Sequence, residues 1–184
     1  MPKIIDHDVR RGELLDASLA LFSRLGFSGI SMRRLATELS VSTGALYHYF
    51  PNKSALFESM LYRLAQSDVG GVVAQIEPRM SRAERLRLVM EFVISSAGAI
   101  REIIDVLTDY RRTVGPDGDE LVRRVLDVYR ASLTEYLMDG DEGGADLVLS
   151  VIIGVLMHSD LRAAPEMRAD QIRRLLPLAV PCDD

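Results

Sequence analysis

SMRRLATELSVSTGALYHYFPNKSAL, residues 31–56, decides how the chain is to be read. Ser31 and Ser42 each stand before a short helical stretch, where a serine hydroxyl satisfies the free N–H groups of a first turn. Pro51 ends the second stretch, and Asn52 is placed to cap a new helix directly after it. Leu35, Leu39, Leu46 and Phe50 are the apolar positions that would hold two short helices at a fixed crossing angle. Two helices joined by a tight turn, the second opening on Ser42-Thr43-Gly44-Ala45, have the outline of a helix-turn-helix. Such a motif lays its second helix in the DNA major groove.

The small residues carry the chemistry. Gly44 is a poor helix former, and lacking a Cβ it permits close approach of backbone to a surface. Thr43 can donate or accept at a base edge, and its methyl can pack on a thymine methyl. The helix start adds free N–H groups and partial positive charge suited to phosphate. Arg33 is the side chain best able to pair bidentately with a guanine. Ser31 and Ser42 act as caps, a role that leaves room for phosphate contact. Lys53 opposes the dipole at the start of its own helix, which a nearby phosphate would offset.

The run Leu35-Ala36, Val41 to Phe50, Asn52-Lys53 and Leu56 resembles the tetracycline-repressor (TetR) family of bacterial transcriptional regulators, over roughly Gly12 to Leu61. The resemblance implies a sequence-specific DNA-binding regulator, most simply a repressor. It makes Tyr47 and Lys53 phosphate anchors, and turns Thr43, Ala45 and His48 to the groove. Together with Ser31, Arg33, Ser42 and Gly44 these form the expected DNA-binding set. Tyr49 stays open between core and contact. The family usually has glycine in the turn where this chain has Ser40, and a left-handed serine there costs about 1 kcal/mol.

Composition fits. The chain has 184 residues, 48% hydrophobic and 27% charged, an ordinary globular balance. The net charge of −5 divides unevenly: residues 1–66 hold eight basic side chains against six acidic ones, +2, which leaves −7 for the rest. A mildly basic head on an acidic body suits a protein whose head alone meets phosphate. One cysteine, Cys182, implies neither a disulfide framework nor a cysteine metal site within one chain, and points to a reducing, cytoplasmic setting. MPKIIDHDVRRGE has no apolar core for a secretory signal. The longest apolar run, Leu147–Met157, falls well short of the roughly 20 residues of a membrane span.

Every periodic segment repeats at helical spacing, so the chain is predicted all-α. The resemblance divides it into a three-helix head, 1–52, and a larger helical body, 53–184, for effector binding and dimerisation. Leu14, Ala17, Leu21, Phe22 and Leu25 form the stripe of a first helix, about 9–25, stopped by Gly26. The helix after Asn52 should reach Gly70-Gly71. Ser81-Arg82-Ala83-Glu84 is a capping box opening a helix to about Gly98, with another over 101–112. Gly115-Pro116-Asp117-Gly118 reads as a turn. Two long helices follow, about 119–138 and 145–163, the second apolar nearly all round.

In TetR-like proteins the last long helices of two chains pack as a four-helix bundle. The resemblance therefore places a homodimer interface on Val122, Val125, Tyr129, Leu133, Ser150, Ile153, Gly154 and Met157. Ser150 and Gly154, four apart, would allow close crossing. Such a dimer reads an inverted repeat in double-stranded DNA, and an effector would release it by favouring another head spacing. Polar residues on apolar helices mark the expected small-molecule pocket: Ser95, Asp105, Tyr110, Arg111 and His158, with the dimer interface as the alternative place for His158. The scattered histidines, the terminal cysteine and the lack of a phosphate loop argue against an enzyme and against any cofactor or metal. Two other readings stand behind the first: the same fold answering to a protein partner or to no ligand, and a helical binding protein whose head no longer reads DNA.

Overall fold

The computed structural model describes residues 7–162, apart from the side chains of Val155 and residues 157–162. His158 and Met157 as contact residues, and Cys182, thus lie outside the described residues. Within them the chain is helical throughout: α1 (His7–Leu25), α2 (Met32–Glu38), α3 (Thr43–Tyr49), α4 (Lys53–Val73), α5 (Arg82–Val114), α6 (Pro116–Ser132) and α7 (Glu142–Arg162), with a π-helical turn at Leu133–Leu137. No described helix is long and apolar enough to cross a membrane.

Two compact units share these elements. One holds the described residues up to 66 together with 102–125; the other holds 67–101 and those from 126 on. In the first unit Phe22, Phe27 and Phe57 pack with Tyr110 of α5, whose ring stands edge-on to Phe27 at 4.7 Å and tilted against Phe57 at 4.8 Å. Leu35, Leu46, Phe50 and Leu56 complete this core, each essentially inaccessible. Leu39 is only half-buried. Burial of side chains of this size is worth about 2–3 kcal/mol each. The α1 stripe turns by one residue from the expected one. Ala17 is exposed and Ser18 is buried, its hydroxyl donating to the Leu14 carbonyl at 2.7 Å. Gly26 ends α1 at φ +73, as a C-terminal stop should.

In the second unit Leu86, Val89, Met90, Val93, Leu133, Leu137 and Val148 form the interior. The capping box is present in both directions: the Ser81 N–H donates to Glu84 Oε2 at 2.8 Å, and the Glu84 N–H to Ser81 Oγ at 3.3 Å. Arg82 donates to the Met138 carbonyl at 2.6 Å and Arg85 to Asp139 at 2.7 Å, clamping α5 to the bend after the π-turn. Asp139 and Gly140 take positive φ in that bend.

Four expected boundaries move. The helices expected over 81–98 and 101–112 are one helix, because Gly98 weakens a helix by about 1 kcal/mol but no proline or cap ends it. The Gly115–Gly118 turn shrinks to Gly115 alone, at φ +77, since Pro116 suits the first position of α6. The helix expected to Met138 stops being α-helical at Ser132, and Met138 N–H reaches back to Leu133 O in a π-type bond of 2.9 Å. α7 begins three residues before the expected Ala145, because Asp141 accepts the Gly144 N–H at 2.9 Å.

Candidate nucleic-acid interface

The reading unit is built by short-range capping. Ser31 Oγ accepts the Arg34 N–H at 3.3 Å to open α2, and Ser42 Oγ accepts the Ala45 N–H at 3.0 Å to open α3. Between them Ser40 stands at φ +55, the left-handed conformation foreseen for the turn. The Val41 N–H still reaches the Ala36 carbonyl at 2.9 Å, which closes the turn tightly. After α3 the chain extends through Phe50, and Asn52 Oδ1 takes the Ala55 N–H at 2.8 Å to begin α4.

The exposed surface of α3 comprises Ser42, Thr43, Gly44, Ala45, Tyr47 and His48, while Leu46 and Phe50 point inward. A Cβ built on Gly44 would meet nothing within 4 Å, so no protein group demands glycine there. Tyr47 is 49% exposed, a large ring left on the surface. Tyr49 is half-buried, its ring 4.5 Å from that of His7 at the start of α1. His7 also stands 5.6 Å from the ring of His48. Nothing in the local sequence announces His7, which is far from α3 along the chain.

The arginines of α2 separate by partner. Arg34 and Arg24 both lie on Glu38, at 3.8 and 3.2 Å, in exposed pairs worth little. Arg33 is exposed and forms no ion pair among the described residues. A guanidinium with no internal anion keeps its full capacity for phosphate or guanine.

Lys53 has the most structured surroundings. Its ammonium donates to the Phe27 carbonyl at 2.8 Å and the Ile30 carbonyl at 2.9 Å, and lies 4.2 Å above the Phe27 ring. Burial pulls its pKa below the ordinary lysine range, and the Asp109 carboxylate opposes that pull. Two of three donors are therefore used inside the chain, and the third is left for an external acceptor. These carbonyls explain a lysine at this helix start without phosphate, which the dipole consideration alone had not foreseen.

The residues expected to bind an effector are spread apart. Ser95 is exposed and its hydroxyl donates to the Phe92 carbonyl; Asp105 is exposed. Tyr110 belongs to the aromatic core of the first unit, and Arg111 donates to Asp119 at 2.5 Å. A cavity of about 400 Å³ does occur in the first unit, between α1 and α4, with Arg11, Gly12, Ser59, Tyr62 and Arg63 in its wall. None of the expected pocket residues lines it. Of the expected dimer residues, Val125 and Leu133 are only 7% and 6% exposed within a single chain, so each packs within its own protomer. Tyr129 is half-buried and donates to Asp68 at 2.8 Å. Val122 and Ile153 are half-buried, and Ser150 and Gly154 are exposed on α7, as is Leu147.

Residues 14–60 match the family model of bacterial regulatory proteins of the tetR family. Among curated relatives, the HTH-type transcriptional regulator PksA of Bacillus subtilis is 32% identical over 105 residues, covering 56% of this chain and 51% of that protein. BetI of Burkholderia thailandensis is 33% identical over 88 residues, 48% of this chain and 45% of that one. The nucleoid occlusion factor SlmA of Actinobacillus pleuropneumoniae is 29% identical over 117 residues, 63% and 57%. The chain thus matches only about half the length of these relatives. Solved structures share the fold along nearly all of it. Salmonella enterica GusR superposes with a TM-score of 0.74 at 22% identity, over 98% of this chain and 100% of that one. FadR of Bacillus subtilis, solved with stearoyl-CoA, gives 0.70 at 18% identity, over 91% and 98%. Residues 14–60 thus carry the match to the tetR family, and the fold is shared with solved regulators of that family along most of the chain.

Proposed function

We propose that this protein is a transcriptional regulator, most simply a repressor, that reads an inverted-repeat operator as a homodimer and is released by a small-molecule effector. The observation carrying the proposal is the capped start of α3, where Thr43, Gly44 and Ala45 are exposed and small enough for a groove, with exposed Tyr47 and Arg33 suited to phosphate and base contact. Residues 1–52 act as the reading head and 53–184 as the effector-binding and dimerisation body. Apolar α7, with Leu147 at 47% exposure and Ser150 and Gly154 open, supports pairing with a second copy. The stearoyl-CoA held by the FadR neighbour supports a body that takes small molecules.

A second reading keeps the DNA-binding head but drops the effector, in favour of a protein partner or no ligand. The relative named as a nucleoid occlusion factor favours keeping it in view. Selection of the purified protein against random duplex DNA, followed by salt titration of the winners, tests the shared part. An enriched inverted repeat supports both readings. Absence of enrichment, with residual binding gone at physiological salt, removes both. Release of the enriched duplex by a small molecule in a screen then separates the first from the second.

A further inference from the structure

Asp109 sits in α5, 81 residues along the chain from Ser28, yet its Oδ2 accepts the Ser28 N–H at 2.7 Å. The same oxygen lies 3.0 Å from where a Cβ on Gly26 would stand, so glycine at φ +73 leaves the notch this carboxylate fills. The segment it holds, 26–30, contains both carbonyls that receive the Lys53 ammonium. The charge of Asp109 is also within electrostatic reach of that ammonium. The next residue, Tyr110, packs its ring on Phe27 from this segment and Phe57 from α4. Two adjacent side chains of α5 thus grip the end of α1, the approach to α2 and the start of α4. The helices α2 and α3 hang directly from the far side of that segment, at Ser31.

The geometry points to Asp109 as a positioning residue for DNA reading: from α5, its carboxylate anchors the 26–30 segment and thereby sets the pose of α2, α3 and Lys53. This rests on the DNA-reading function proposed above and adds to it a residue outside the motif. An ionised acceptor on a backbone N–H makes a stronger bond than a neutral one, so its loss frees the segment it holds. Ser28, Phe27 and Ile30 carry no sequence-reading duty themselves. The anchor acts through what they hold.

The test compares wild-type protein with Asp109→Ala and Asp109→Asn by two independent measurements. One is amide hydrogen exchange across residues 26–34; the other is affinity for the duplex enriched from random DNA. Asp109→Ala is expected to speed exchange at Ser28 and the start of α2 by about tenfold and to weaken the duplex by about tenfold, the scale of one charge-assisted hydrogen bond. Asp109→Asn, which keeps an acceptor oxygen, is expected to stay within about threefold of wild type in both. Should the alanine variant fail to fold, Asp109→Val keeps the volume without the acceptor and takes its place. Faster exchange in the variant with wild-type affinity overturns the inference alone, as does equal loss in the asparagine and alanine variants. A wild-type protein that enriches no duplex removes the DNA-reading function, and the inference with it.

Discussion

At the scale of single residues, the proposed DNA-reading function gives Lys53 and Thr43 two kinds of contact. Lys53 is fastened at one end to the Phe27 and Ile30 carbonyls, so its removal touches folding and binding together. Lys53→Ala is expected to weaken all duplexes alike and to lower the slope of log affinity against log salt by about one. It is also expected to cost about 1–3 kcal/mol of stability, since two carbonyls lose a charged donor; thermal unfolding reports that part. Thr43 is exposed, and its hydroxyl makes no hydrogen bond among the described residues. Thr43→Ala should leave the melting temperature alone and relax preference at one position per half-site in a repeat of the duplex selection. Equal loss on every sequence would refute its groove-facing role.

At the scale of elements, glycines show which helices touch. A Cβ on Gly118 would lie 2.8 Å from the Arg111 Cα, because α6 starts hard against the end of α5. Backbone cannot move aside as a side-chain tip can, so Gly118→Ala should destabilise by about 1–3 kcal/mol. Gly98, inside α5, has nothing within 4 Å of its absent Cβ. Gly98→Ala should therefore stabilise by about 0.5–1 kcal/mol through helix propensity alone. Denaturant melts of the two variants decide both signs. The same contrast explains what was legible in the sequence. The caps at Ser31, Ser42 and Asn52 act over three residues, so a local reading finds them. Asp109 on Ser28, and Tyr110 on Phe27, join residues some 80 apart, and no local pattern announces either. Tyr110 was accordingly expected in an effector pocket and stands in a core. The unbroken α5 was missed because an unpartnered glycine and a helix end look alike in sequence.

At the scale of the whole molecule, a half-buried carboxylate ties stability to pH. Asp68 has its pKa raised above the ordinary 3.8, first by burial, with the Tyr129 hydroxyl bond pulling the other way. Between 3.8 and that raised value the native state holds a proton that the unfolded state has released. Its contribution to stability therefore declines as pH rises through the window. Asp68→Asn keeps an acceptor for Tyr129 and removes the buried charge. It should raise the melting temperature at pH 7 by about 2–4 °C for each kcal/mol recovered, and flatten the decline that sets in above the ordinary carboxylate range. A variant that melts lower at pH 7 would show the carboxylate to be favourable where it lies. The open ground around Gly44 matters at this scale too. Thr43, Gly44 and Ala45 are exposed and bury nothing, so this face is free to drift while the fold stays put. On the DNA-reading function proposed above, descendants of such a chain can acquire new operators by changing a handful of letters, with selection judging each change on DNA alone.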